Sequence, residues 1–122
     1  MGSPVVHFEI VGKDAQALQR FYSDAFGWRM EGGLPTYAMA YTGGEGGIDG
    51  GVGAAPDGGA SRVTIYVQVE DLDAALRTIE SLGGSRLVGP TDVPGGPVFA
   101  LFTDPAGNVV GLLEAGSGQG AR

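Results

Sequence analysis

The sequence predicts an α+β fold built from two tandem βαβββ modules, on three observations. An alternating apolar segment that runs into an acidic residue and then an amphipathic stretch occurs twice, at Val5–Val11 with Asp14 and at Arg62–Val69 with Asp71. The offset is 57 residues, 71 less 14. Three short strand-like segments follow each amphipathic stretch. Glycine supplies 24 of the 122 residues and gathers in Gly43–Gly53, Gly58–Gly59, Gly83–Gly84, Gly95–Gly96 and the tail, as the tight turns of a strand-rich chain require.

The first module is expected over residues 5–54. Its opening strand leads to Asp14, whose side chain can cap a helix start, and Leu18, Phe21, Tyr22, Ala25 and Phe26 then recur near a period of 3.6, predicting a helix with one face on a sheet. Gly27 ends that helix by entering the left-handed region. Strands are expected at about Trp28–Glu31, Thr36–Tyr41 and Ile48–Ala54, with Trp28 sealing a core edge. Ala55–Ser61, rich in turn formers, is the linker.

The second module is expected over residues 62–115. Asp71 opens a helix striped by Leu72, Ala75, Leu76, Ile79 and Leu82, Gly83–Gly84 stops it, and strands follow at about Ser85–Val88, Val98–Thr103 and Val109–Glu114. The ends of the modules also align, Tyr41–Thr42 on Phe102–Thr103, at an offset of 61. One such unit leaves a sheet face uncovered. Two together therefore predict a single domain, residues 1–122, as one curved eight-stranded cup-shaped sheet with the helices outside, and a frayed tail from Gly116.

Composition removes several functions. The net charge is −7 and the basic residues are scattered, so nucleic acid is not an expected partner. No apolar run is long enough to span a bilayer and no signal-peptide pattern opens the chain, so a cytoplasmic, membrane-free protein is expected. The absence of cysteine removes disulfides, thiolate metal sites and a cysteine nucleophile. The glycine-rich stretch at Gly43–Gly53 lacks the ending of a phosphate loop and is expected as a hairpin or gate at the rim.

Three motifs resemble one family. Phe21-Tyr22-Ser23-Asp24-Ala25-Phe26-Gly27-Trp28 is similar to the "FY…LGW" closing of the first helix in vicinal oxygen chelate proteins, the superfamily of glyoxalases, bleomycin-resistance proteins and extradiol dioxygenases. Val69-Glu70-Asp71-Leu72-Asp73-Ala74-Ala75 resembles their "VxDxDAA" segment, and Asp104-Pro105-Ala106-Gly107-Asn108 resembles their "DPxGN" hairpin. The resemblance covers about residues 5–115 and speaks for fold before activity. It implies the cup and, where these proteins use a metal, four ligands on the first and last strands of each module. Carried onto this chain by the repeat, those positions read His7, Gly50, Thr64 and Gly111. Glycine offers no donor, and a threonine hydroxyl is a poor one beside imidazole or carboxylate. No cofactor is expected, and a divalent metal is disfavoured.

Strand alternation gives the remaining site. Val6, Phe8 and Ile10 should face the helix, as should Val63, Ile65, Val67 and Val69, leaving His7, Glu9, Thr64, Tyr66 and Gln68 toward the cup. His7, Glu9 and Tyr66 are the candidate catalytic set. Thr64 and Gln68, with Tyr37, Met39, Tyr41, Phe99 and Leu101 as walls, are the candidate ligand-binding set. A His7–Glu9 pair serves equally as a purely structural pair or as an acid and base. The leading expectation is a protein that holds a small aromatic or polyketide-like molecule without a catalytic metal, as a homodimer. The alternatives are a metal-independent lyase, isomerase or cyclase working through His7 and Glu9, and a metal-dependent glyoxalase or dioxygenase.

Overall fold

The computed structural model describes residues 2–34, 36–55 and 59–117. Pro56–Gly58 of the expected linker and residues 118–122 of the expected frayed tail lie outside the described residues. Contacts divide the chain into two compact units, residues 6–65 and residues 66–117 with 2–5.

The first module runs β1 (Val5–Gly12), α1 (Ala15–Phe26), β2 (Arg29–Leu34), β3 (Tyr37–Tyr41) and β4 (Gly50–Ala54), and its strands lie in the order β2-β3-β4-β1. The second runs β5 (Arg62–Val69), α2 (Leu72–Ser81), β6 (Ser85–Asp92), β7 (Val98–Thr103) and β8 (Val109–Glu114), in the order β6-β7-β8-β5. In each, the first and last strands pair in parallel and the others antiparallel. The predicted α+β pattern of two βαβββ modules is therefore the observed one.

Local chemistry sets the helix ends. The Asp14 carboxylate accepts from the Ala17 N–H at 3.0 Å, and Asp71 accepts from Ala74 at the same distance, so both acidic residues of the repeat are N-caps. Gly27 takes a φ of 73° and donates to the Ser23 carbonyl at 2.8 Å, which ends α1. After α2, Gly83 takes a φ of 104° and Gly84 donates back to Ile79 at 2.9 Å.

Packing departs from the stripes in instructive places. Leu72, Leu76, Ala100 and Leu112 form a buried cluster, flanked by Val67, Val69, Ala75 and Ile79. Leu82, the last member of that stripe, is 74% exposed because the chain has already left the helix axis there. On α1, Tyr22 stacks on Trp28 at 5.3 Å and Phe8 meets the same indole at 5.3 Å, so Trp28 closes a core edge as expected. Phe21 and Phe26 stay 59% and 63% exposed, so the first stripe is only partly covered. Val63 is 69% exposed and Ile65 also exposed, although Val67 and Val69 on the same side of β5 pack on the cluster.

β6 continues to Asp92, past the expected end at Val88, and carries Pro90. It is the outer strand of its module, and its register with β7 slips between Val88 and Thr91, which is where a strand tolerates a residue without an N–H.

Candidate functional site

The first module presents its chemistry on the face away from α1. A Cβ built at Gly12 would sit 3.0 Å from a Leu18 methyl, and Phe8 packs on Trp28, so this side of β1 is the helix side. Alternation places His7, Glu9 and Val11 on the other side. On β3, Ala38 and Ala40 are buried while Tyr37, Met39 and Tyr41 are half-buried, so the expected trio does share one face. Register sets Met39, Gly51 and Glu9 in one row across the sheet, with Tyr37 beside Gly53 in the next.

From that next row the Tyr37 hydroxyl reaches across to donate to Glu9 Oε2 at 3.1 Å in a part-buried bond. The phenol reaches the carboxylate because nothing stands between them. A Cβ at Gly51 would fall on the Tyr37 hydroxyl itself, and one at Gly53 would lie 2.7 Å from its Cδ1. Tyr41 is engaged by the Arg29 guanidinium, 4.7 Å above its ring, and Arg29 in turn pairs with Glu31. The glycine-rich segment after β3 is pinned, since Thr42 donates from its N–H to Asp49 at 2.9 Å and from its hydroxyl to the Ile48 carbonyl at 2.9 Å. Gly50–Gly53 is buried strand, as expected for the strand at about Ile48–Ala54, so the rim hairpin expected over Gly43–Gly53 ends before it.

The second module repeats the arrangement with other side chains. Val98, Ala100 and Phe102 belong to the helix-side cluster, which leaves Phe99 and Leu101 on the opposite face of β7. Leu101, Gly111 and Tyr66 share one row, and Phe99, Leu113 and Gln68 the next. Tyr66 is buried with its ring against Gly111, where a Cβ would lie 2.8 Å from Cγ and closer still to one edge. The Gln68 N–H donates to the Pro4 carbonyl at 2.9 Å, and a groove of about 310 Å³ runs between Gly2–Pro4 and Gln68–Glu70. Of the expected site residues the groove touches only Gln68. Thr64 is 1% exposed, and its hydroxyl has no hydrogen-bond partner among the described residues.

Register also corrects one position. Tyr66 pairs with Gly111, and its repeat mate Glu9 pairs with Gly51, so the counterpart of Gly111 is Gly51 and not Gly50. Gly50 faces the helix side, where a Cβ would meet the Phe8 ring at 2.6 Å. The metal positions implied by the resemblance thus carry His7, Gly51, Thr64 and Gly111. Two have no donor atom, and in each of those two a tyrosine ring holds the space a ligand side chain would need. Among the described residues no three of His, Cys, Asp and Glu are grouped to hold a metal. The residues present do not fit a metal centre.

Residues 5–112 match the Glyoxalase/Bleomycin resistance protein/Dioxygenase superfamily. The chain belongs to this superfamily. It is 31% identical over 115 residues to CFP32 of Mycobacterium tuberculosis, covering 88% of this chain but 44% of that protein, so it spans under half the length of this relative. It is 31% identical over 108 residues to a glyoxylase-like domain-containing protein of Didymella fabae, covering 82% and 84% of the two chains. Over 58 residues it is 36% identical to the anthracycline biosynthesis protein DnrV of Streptomyces peucetius, covering 48% of this chain and 21% of that one. Among solved structures, the fold is shared with methylmalonyl-CoA epimerase of Mycobacterium tuberculosis at a TM-score of 0.64 and 17% identity, covering 97% and 91%. It is also shared with the Mn(II)-bound glyoxalase of Novosphingobium aromaticivorans at 0.63 and 22% identity, covering 93% of this chain and 40% of that one.

The superfamily's "DPxGN" hairpin is a local anchor here. Asp104 accepts from the Asn108 side chain at 2.8 Å and from the Asn108 and Ala106 N–H groups at 2.9 Å each, and these bonds, the Asn108 amide foremost, hold its carboxyl below the ordinary aspartate value. Neither helix of the described residues is long and apolar enough to cross a membrane. Sequence reasoning missed that Tyr37 and Glu9, 28 positions apart, are partners, and that Gly51 makes room for them.

Proposed function

We propose that this member of the superfamily binds a small, hydroxylated aromatic or polyketide-like molecule on the helix-free face of its modules and uses no metal to do so. The observation that carries this reading is the Tyr37–Glu9 hydrogen bond laid over the glycines of β4. It makes a pre-set polar pair beside the apolar Met39, and a few fixed polar groups in an apolar surround is the usual make-up of a small-molecule site. Two positions without donors, each filled by a ring, support the absence of a chelated ion. The partial likeness to DnrV, named for anthracycline biosynthesis, supports a polycyclic aromatic as the first ligand to try.

The test is calorimetric titration with an anthracycline, followed by mass spectrometry of the released compound. Micromolar binding, return of the compound unchanged, and at least about tenfold weaker binding by Glu9→Gln and Tyr37→Phe are expected. An absence of binding across a panel of hydroxylated polycyclic aromatics overturns it.

One observation favours a second reading, a metal-independent isomerase, lyase or cyclase. His7 and Glu9 lie two apart on one face of β1, and a carboxylate already holding a phenol is suited to proton transfer. Under this reading the compound is consumed, and His7→Ala and Glu9→Gln each lower the rate about 10²-fold or more.

A further inference from the structure

We infer that Gly51 and Tyr37, and Gly111 and Tyr66, are energetically coupled pairs, in which a tyrosine ring takes the volume that a side chain on the closing strand of each module would need. The backbone dihedrals do not demand glycine at either place. Both lie within regular strand, paired on both sides, and neither has the positive φ that marks Gly27, Gly43 or Gly107. A β-branched residue would suit such positions better, because glycine inside a strand gives up both packing and entropy. What forbids a side chain is the neighbour. A Cβ at Gly51 falls on the Tyr37 hydroxyl and lies 2.8 Å from its Cε2, and a Cβ at Gly111 lies against the Tyr66 ring, 2.8 Å from Cγ. Gly53 adds to the first ring's bed, with its own Cβ 2.7 Å from Tyr37 Cδ1.

The two rings arrive by different routes. Tyr37 comes from β3, two strands from β1, and its hydroxyl ends on Glu9. Tyr66 comes from β5, directly beside Gly111. The consequence is a pair of positions that present phenols where a metal-using relative of the resemblance would present ligands. Metal use is closed to this chain by filled volume as well as by missing donors.

Double-variant cycles on the intact chain test this. Tyr37 is only half-buried, so Tyr37→Ala is expected to fold, and Gly51→Ala in that background should leave the melting temperature within about 2 °C of Tyr37→Ala alone. Gly51→Ala with Tyr37 in place should lower it by about 5 °C or more, or prevent folding. The same pattern is expected for Gly111→Ala with and without Tyr66→Ala. Addition of about 1 mM Mn²⁺ or Zn²⁺ to the unaltered protein should leave its melting temperature unchanged. The inference is overturned if Gly51→Ala is harmless while Tyr37 remains, if the Tyr37→Ala and Gly51→Ala double variant is no more stable than Gly51→Ala alone, or if either ion raises the melting temperature by about 5 °C. The variant cycles use neither an organic ligand nor a metal, so their failure is separate from a failure of the binding reading, whereas a rise with either ion would also overturn the metal-free part of that reading.

Discussion

Replacing Thr64 with valine should stabilise the protein. The residue is 1% exposed and its Oγ1 is buried without a partner among the described residues, so folding takes the hydroxyl out of water and returns no hydrogen bond. A buried hydroxyl left unpaired costs about 1–3 kcal/mol. Valine keeps the β-branch that suits a strand and exchanges the hydroxyl for a methyl of nearly the same size, whose burial adds a favourable term of about 0.8 kcal/mol. Tight packing around a fully buried site takes some of this back. The net expectation is a gain of about 1–2 kcal/mol. In urea unfolding at pH 7 this appears as a midpoint higher by about 1 M at an unchanged slope. Thr64→Ser keeps the orphan hydroxyl and removes the methyl, so it should lose about 1 kcal/mol. The order valine, threonine, serine is the signature. If the valine variant unfolds at lower urea than the unaltered protein, the hydroxyl is satisfied in solution and the reasoning fails.

Three further outcomes are expected. Leu76→Ala, at a site with no exposure at the centre of the second module's cluster, should cost about 2–5 kcal/mol, and a loss under about 1 kcal/mol in chemical denaturation would show that the cluster is not the core. Asp104 has a folded-state value below its ordinary 3.8, so its contribution is present at neutral pH and fades as pH falls through that lowered value. Asp104→Asn should therefore melt lower than the unaltered protein at pH 7 and converge with it as the pH falls below that lowered value, whereas a gap that widens in acid would contradict the sign. The exposed Phe21, Phe26, Val63 and Ile65 favour a covering partner, and a homodimer of the 12.3 kDa chain is proposed; light scattering that returns the monomer mass at about 100 µM would sink it.

Much of the fold was legible because its signals are local. Asp14 and Asp71 announce helix starts through a bond three residues long, and strand alternation correctly separated Phe99 and Leu101 from Ala100. Coverage was less legible. Periodicity names a stripe, and it cannot say where the opposing sheet ends, which is why Phe21, Phe26 and Leu82 remain in contact with water. The linker and tail carry no comparison, since parts of both lie outside the described residues.

The candidate site shows the sharper limit. Tyr41–Thr42 aligned on Phe102–Thr103 gives an offset of 61, yet the rows of the sheets pair Met39 with Leu101 at 62 and Gly51 with Gly111 at 60. The loops between β3 and β4 and between β7 and β8 differ in length, so one offset cannot serve both strands, and a slip of one residue moves a side chain to the other face. That slip is what put Gly50 in place of Gly51. It also hid the role of Tyr37, because a glycine read as an empty ligand position and a tyrosine read as a wall become one feature only when register sets them against each other. The absence of donors could be read from composition, whereas the filling of their space is a property of pairing between strands.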